Sequence, residues 1–393
     1  MSTHPYRLKH TNSDVETDPP PGRWHQLPRE LWSLIVAQLD RRSLRSASLI
    51  CRVAHQEADP YLYKQIVWKS WRNRHVLAVH RALQASKLRA NRVRRFVIRN
   101  VEGHVDAGAA YALVEILQKA PNLKFLQLNI FTRTTMENIL QFEPLLEQLA
   151  AGCPFRLHTL LTDAPFERRT VEFLTQQPDL TRLEWDTARV GRPAPTVPRS
   201  ALARLQHLRS AVGWRPFASL RSITHLCIDL PPQAQLDELL VAFSDRLVSL
   251  KLVEQRRSAQ PVLFRPAVAF RRGLPRTLRW LEVREIPNRG DDGDPEFDAN
   301  PAGTDAFPFA EDGLALRVFV WQASWMFPVT RESCLEILRF AQFLGDARVA
   351  MRFFVFFGTV EGDTDGAKAW DLREQRLAES FKKLPEDSWR ALV

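Results

Sequence analysis

The chain has 393 residues, 45% hydrophobic and 25% charged, with a formal net charge of +10. That length predicts two or three structural units with a sizeable core, and the composition is that of a globular protein. The longest apolar run, Ala109 to Val114, is six residues, against roughly 20 for a spanning helix. The polar N-terminus also lacks the apolar stretch of a secretory signal. The expectation is a cytoplasmic or nuclear protein with no membrane contact.

Charge is distributed unevenly. Residues 71–100 carry nine Lys or Arg and no acid, whereas Gly290 to Asp312 carries eight Asp or Glu and no base. The acidic run also holds Gly and Pro, which predicts an exposed loop over 290–312. Its acids resemble the start of a calcium loop, but Phe297 stands where that loop needs Gly and Gly303 where it needs Glu, which argues against calcium.

In chain order, residues 1–23 are polar and end in Pro19, Pro20, Pro21 and Gly22, the pattern of a disordered leader. Leu27, Leu31, Leu34, Ile35 and Leu39 then recur at helical spacing, with Pro28 at the first turn. Ser43 is a candidate cap for a second helix carrying Leu44, Ala47 and Leu49. A third helix is predicted from Arg52 to Asp59, ended by Pro60. Three helices this short make a small core, so part of their apolar surface should be covered by the rest of the chain or by another protein.

Beyond residue 90 the pattern becomes apolar-x-x-apolar-x-apolar. It begins at Val93, Leu123, Leu180, Ile223, Leu247, Leu278 and Leu316, with degenerate copies at Leu157 and Leu205. Amphipathic stretches lie between, at Ala110 to Lys119, Glu137 to Leu149, Thr170 to Gln176, Leu236 to Phe243 and Glu332 to Phe343. A short strand followed by a helix, repeated irregularly, is the unit of a leucine-rich-repeat-like solenoid. The Asn that usually follows the strand is found only near one copy, as Asn129, so irregular turns are expected. Asp371 to Val393 is predicted to be a closing helix.

By strand alternation, the residues flanking the inward apolar positions face the concave side. That places Phe125, Gln127, Arg182, Glu184, Asp186, Lys251, Trp280 and Glu282 on a candidate substrate-binding surface, with His225, Asp229 and Arg284 nearby. Phe125 and Trp280 are the expected exposed aromatics, a type enriched at interface hot spots. Arg95, Val97 and Arg99 should share the exposed face of the first strand. The basic block has only Trp71 and Phe96 for stacking, which argues against nucleic acid.

No catalytic constellation is present in the sequence: there is no nucleophile elbow, zinc-protease motif or phosphate loop. Cys51, Cys153, Cys227 and Cys334 form no Cys-x-x-Cys pair and are expected to be free thiols, buried by default. His225 and Cys227 share a strand face, but two ligands do not make a metal site. The chain is therefore read as a non-enzyme without cofactor or metal.

Leu27-Pro28-x-Glu30-Leu31-x3-Ile35-x3-Leu39-Asp40-x3-Leu44, followed by Leu49-Ile50-Cys51-Arg52 and ending in Ala58-Asp59-Pro60-x-Leu62-Tyr63-x2-Ile66-x-Trp68, resembles an F-box of the divergent kind common in fungi. Ala54 stands where many F-boxes have a large aromatic. The resemblance implies an adaptor of the Skp family, a cullin behind it, and a second domain that selects an unknown protein for ubiquitination. By the same resemblance, Leu27, Pro28, Leu31, Ile35, Leu39, Leu44 and Ile50 would contact the adaptor or support that surface. The expected fold is α/β: a leader at 1–23, a three-helix F-box at 24–68, a repeat domain of short parallel strands and helices at 69–370, and a cap at 371–393. The alternative is an interaction scaffold, or a nucleic-acid-binding protein using residues 71–100.

Overall fold

The computed structural model describes residues 27–69, 71–99, 105–130, 136–187, 195–253, 274–284 and 316, together with the strands 318–322, 353–357, 367–371 and 376–378. The predicted leader, the acidic run, the stretch Glu332 to Phe343 and Cys334 lie outside the described residues. The chain divides into two units, Met1–Gln65 and Ile66–Val393.

The first unit is helical. Helix α1 (Arg29–Gln38) is capped by Pro28, α2 (Arg41–Ala47) by Asp40, and α3 (Arg52–Lys64) by Cys51. The cap of α2 is Asp40 rather than the expected Ser43: the Asp40 carboxylate accepts from the Ser43 backbone N–H at 2.7 Å. Both are good capping types, but Asp40 precedes two helix-forming arginines and adds a negative charge at the positive end of the helix. Pro60 was expected to end α3, yet the helix runs on to Lys64. Continuation places Leu62 against the core formed by Trp32, Val36, Leu44, Ala54 and Ala58, a packing gain that offsets the missing proline N–H. The small Ala54 and Ala58 share that buried cluster with the large Trp32.

The second unit is built on one sheet, which among the described residues has thirteen strands arranged in chain order from β1 to β13. The first is β1 (Gln65–Trp68), so the strand begins inside what was predicted to be the end of the helical module. The nine predicted repeat segments become β2 (Arg95–Ile98), β3 (Phe125–Leu128), β4 (Thr159–Thr162), β5 (Arg182–Trp185), β6 (His207–Ser210), β7 (His225–Asp229), β8 (Ser249–Val253), β9 (Trp280–Arg284) and β10 (Val318–Gln322). Each pairs in parallel with the next, without slippage. The register aligns Phe96, Leu126, Leu160, Leu183, Leu208, Leu226, Leu250 and Leu281, all buried. The first apolar residue of each repeat, from Val93 to Leu316, is buried as well. A one-residue slip would turn this ladder to the opposite face, so burial fixes the register.

Helices fill the connections. They are α4 (Asn73–Gln84), α5 (Lys87–Arg92), α6 (Ala107–Gln118), α7 (Met136–Ala151), α8 (Arg168–Thr175) and α9 (Gln233–Ala242). The last four match predicted amphipathic stretches; α4 and α5 lie within the basic block. In the last part of the sheet, β10 pairs in parallel with β11 (Phe353–Phe357), which pairs antiparallel with β12 (Ala367–Asp371), and β12 with β13 (Arg376–Ala378). The closing helix expected from Asp371 is thus corrected over its first residues: Asp371 ends β12 and Arg376–Ala378 is a strand, because an antiparallel partner satisfies the backbone of β12.

Candidate functional site

Two surfaces stand out, one in each unit. On α1, Trp32 and Val36 are buried, while Leu31, Leu34 and Ile35 are exposed, Leu34 at 66%. Spacings of three and four residues place the exposed three on one stripe. The turn after α2 adds Leu49, 85% exposed, and Ile50. These exposed aliphatic side chains, within 20 residues of sequence, take no part in the core of this unit.

The residues predicted for this surface divide into two sets. Leu31, Ile35 and Ile50 are exposed, and so is Pro28, whose carbonyl accepts from the Leu31 and Trp32 N–H groups. Leu44 is buried, and Leu27 and Leu39 pack against the core. These three are core side chains, because α2 and the ends of α1 close over Trp32 and Val36. Leu34 and Leu49 were absent from the predicted set. Leu34 was legible, lying three residues after Leu31; Leu49 sits in a turn, where helical spacing gives no signal.

The second surface is the face of the sheet opposite its inward ladder. Phe125, Gln127 and Arg182 are half-buried there and Asp186 is exposed. Glu184, Lys251, Trp280 and Glu282 were expected to be open and are buried instead. Pairing between and along strands explains the charged ones. Lys251 Nζ lies 3.1 Å from Glu282 Oε1 on the adjacent strand, and Arg182 Nε donates to Glu184 Oε1 at 2.8 Å. Trp280, at 1% exposure, lies in register with Ser249 on β8 and Val318 on β10, in the interior of the sheet. Phe125 therefore remains the accessible aromatic of the predicted pair, and the Arg95 guanidinium lies 3.6 Å over its ring. Val97 is also buried, not exposed, leaving Arg95 and Arg99 on that side of β2.

Farther along this face, the His207 and His225 rings stack with centroids 4.3 Å apart. A cavity of about 220 Å³ lies beyond them, lined by Asp186, Arg209, Cys227 and Asp229 among others. Arg209 Nε is 3.5 Å from Asp186 Oδ1 there. Among the described residues, no group of three His, Cys, Asp or Glu side chains could hold a metal ion. Cys51 and Cys153 are half-buried rather than buried, Cys227 is buried, and none of the three is in a disulfide. Partial burial pushes the Cys153 thiol up, opposed by the hydrogen bond from Gln177.

One structural device was missed in the sequence. The Asp163 carboxylate accepts from the Ile130 backbone N–H at 2.8 Å, in a buried position. Asp163 directly follows β4, at the place Asn129 holds after β3, and ties the turn after β3 to the end of β4. Asp186 and Asp229 occupy the related places at the ends of β5 and β7, and a search for either Asn or Asp would have found the series. The basic block also divides: Arg74 and Arg81 lie on α4, Lys87, Arg89 and Arg92 on α5, and Arg95 on β2. It is not one stripe.

Comparison with known proteins bears on the helical unit. Residues 24–59 match the family model of the F-box domain. No curated protein matches the chain. Solved structures that match include the crystal structure of a TLR13–ssRNA13 complex, at 14% identity and a TM-score of 0.36, covering 70% of this chain and 34% of that one. The chain spans about a third of that neighbour's length, and the superposition is too loose to add to what the strand register shows. Residues 24–59 are thus an F-box domain, followed by a unit of leucine-rich-repeat-like architecture.

Proposed function

We propose that this protein is a substrate receptor of an SCF-type cullin-RING ubiquitin ligase. Its F-box docks a Skp-family adaptor, which links it to a cullin, and its repeat unit holds the protein to be ubiquitinated. The observation that carries this reading is the exposed aliphatic cluster of Leu31, Leu34, Ile35, Leu49 and Ile50 within the F-box match. Each side chain of that size contributes about 1.5–3 kcal/mol when fully removed from water. Leu27, Leu39 and Leu44 support the surface from beneath, and Pro28 sets the start of α1.

The chain binds and does not catalyse; transfer chemistry belongs to the rest of the ligase. Among the described residues no helix is long and apolar enough to cross a membrane, which is compatible with work in the cytoplasm or nucleus. The test is capture of a purified Skp-family adaptor by the full chain, compared with a Leu34→Ser, Ile35→Asp variant. Both positions are exposed, so the variant keeps its fold, and loss of capture reports on docking alone. Equal capture by both proteins would overturn the reading.

A further inference from the structure

Across the open face of the repeat unit, strand register sets Arg95, Phe125, Thr159, Arg182, His207 and His225 in one row. The row holds two guanidinium groups and two imidazoles but no carboxylate. Its first member is the informative one. Arg95 Nε is buried and has no hydrogen-bond partner, although the group lies on the Phe125 ring. Burial, followed by the nearby charges of Arg99 and Arg182, holds the Arg95 guanidinium below its ordinary range.

A partly desolvated cation surrounded by like charge is missing an acceptor. The nearby described carboxylates are engaged elsewhere: Glu184 accepts from Arg182 and Asp163 accepts from the Ile130 N–H. We propose that the Arg95, Arg99 and Phe125 end of this face binds a carboxylate-rich segment of the recruited protein. The half-buried Arg95 guanidinium then gains a counter-charge, and the Phe125 ring supports the aliphatic part of an incoming acidic side chain. Strands stand about 4.8 Å apart, so Arg95 on β2 and Arg182 on β5 are separated by roughly 14 Å, about four residues of an extended segment. Acids spaced in that way would reach both guanidinium groups of the row.

This inference names the substrate chemistry of the proposed receptor and rests on that reading, but its test is separate. Fluorescence anisotropy of the full chain with a labelled twelve-residue Glu-rich peptide, at about 50 mM salt, should give saturable binding. A Ser/Gly peptide of equal length should not bind. Arg95→Glu should weaken the Glu-rich peptide at least about tenfold, a loss of about 1.4 kcal/mol. Arg99→Glu, at an exposed position where folding is not at stake, should weaken it in the same direction, and Arg74→Glu on α4 should leave it unchanged. Undiminished binding by both β2-side variants, no binding by wild type, or tighter binding of a single-stranded oligonucleotide than of the peptide would each overturn the assignment. Adaptor capture by the same preparations separates the two claims: peptide failure with capture intact removes only this surface, whereas capture failure with peptide binding intact removes the receptor reading and leaves the surface.

Discussion

Lys251 Nζ and Glu282 Oε1 lie 3.1 Å apart across one step of the parallel sheet, and both side chains are buried. A buried pair of this kind is costly to break on one side, because the remaining charge loses its counterpart. Lys251→Met alone should destabilise the repeat unit by about 3–5 kcal/mol, and Lys251→Met with Glu282→Leu should recover most of that loss. Denaturant unfolding of the two variants checks the coupling. Additive losses would show that the two charges do not stabilise each other.

The contact by which Asp163 holds the turn after β3 is open to a similar test. Asp163→Ala leaves the buried Ile130 N–H without its acceptor and should cost about 1–3 kcal/mol. Asp163→Asn keeps an acceptor oxygen in place and should cost much less. Urea midpoints of the two variants, measured side by side, should therefore differ clearly; equal losses would mean that the carboxylate charge matters more than the hydrogen bond.

A pH dependence follows from the cap of α2. Hydrogen bonds from the Ser43 backbone N–H and then its side chain hold the Asp40 carboxyl below its ordinary value. A group whose folded pKa is depressed contributes stability that is present above the unfolded value, about 3.9, and is lost as pH falls through the folded value. The first unit should therefore lose stability on acidification from about pH 5 downward, with Asp40→Asn flattening that part of the profile. Circular dichroism melts of the full chain across this range, for wild type and Asp40→Asn, provide the check.

The repeat was legible because its signal is local. Leu123, Leu126 and Leu128 carry a spacing that only a strand entering a packed turn explains, and each of nine such segments is a strand. β11 was missed for the converse reason: Phe353 to Phe357 is a continuous apolar run without alternation, and periodicity alone does not tell a strand from a helical segment there. Pro60 was misread because the local cost of a proline is visible in sequence, whereas the burial of Leu62 beyond it is tertiary. The same gap separated the predicted binding face from the observed one. Lys251, Glu184 and Glu282 look solvated as residue types; Lys251 and Glu282 are buried against partners that only the strand register reveals, and Glu184 against Arg182 two residues earlier on its own strand. On α1 the helical period was correct, but choosing the core stripe required knowing that Trp32 and Val36, not Leu31 and Ile35, face α2 and α3.

The central claim is that the aliphatic cluster of the first unit docks a Skp-family adaptor. Isothermal titration of the full chain with purified adaptor measures this most directly, using wild type and the Leu34→Ser, Ile35→Asp variant, with thermal melts to confirm that both are folded. The account predicts saturable binding by wild type and a loss of at least about a hundredfold, roughly 2.7 kcal/mol, in the variant. No heat of binding from a folded wild-type chain, or equal affinity in the two proteins, would contradict it.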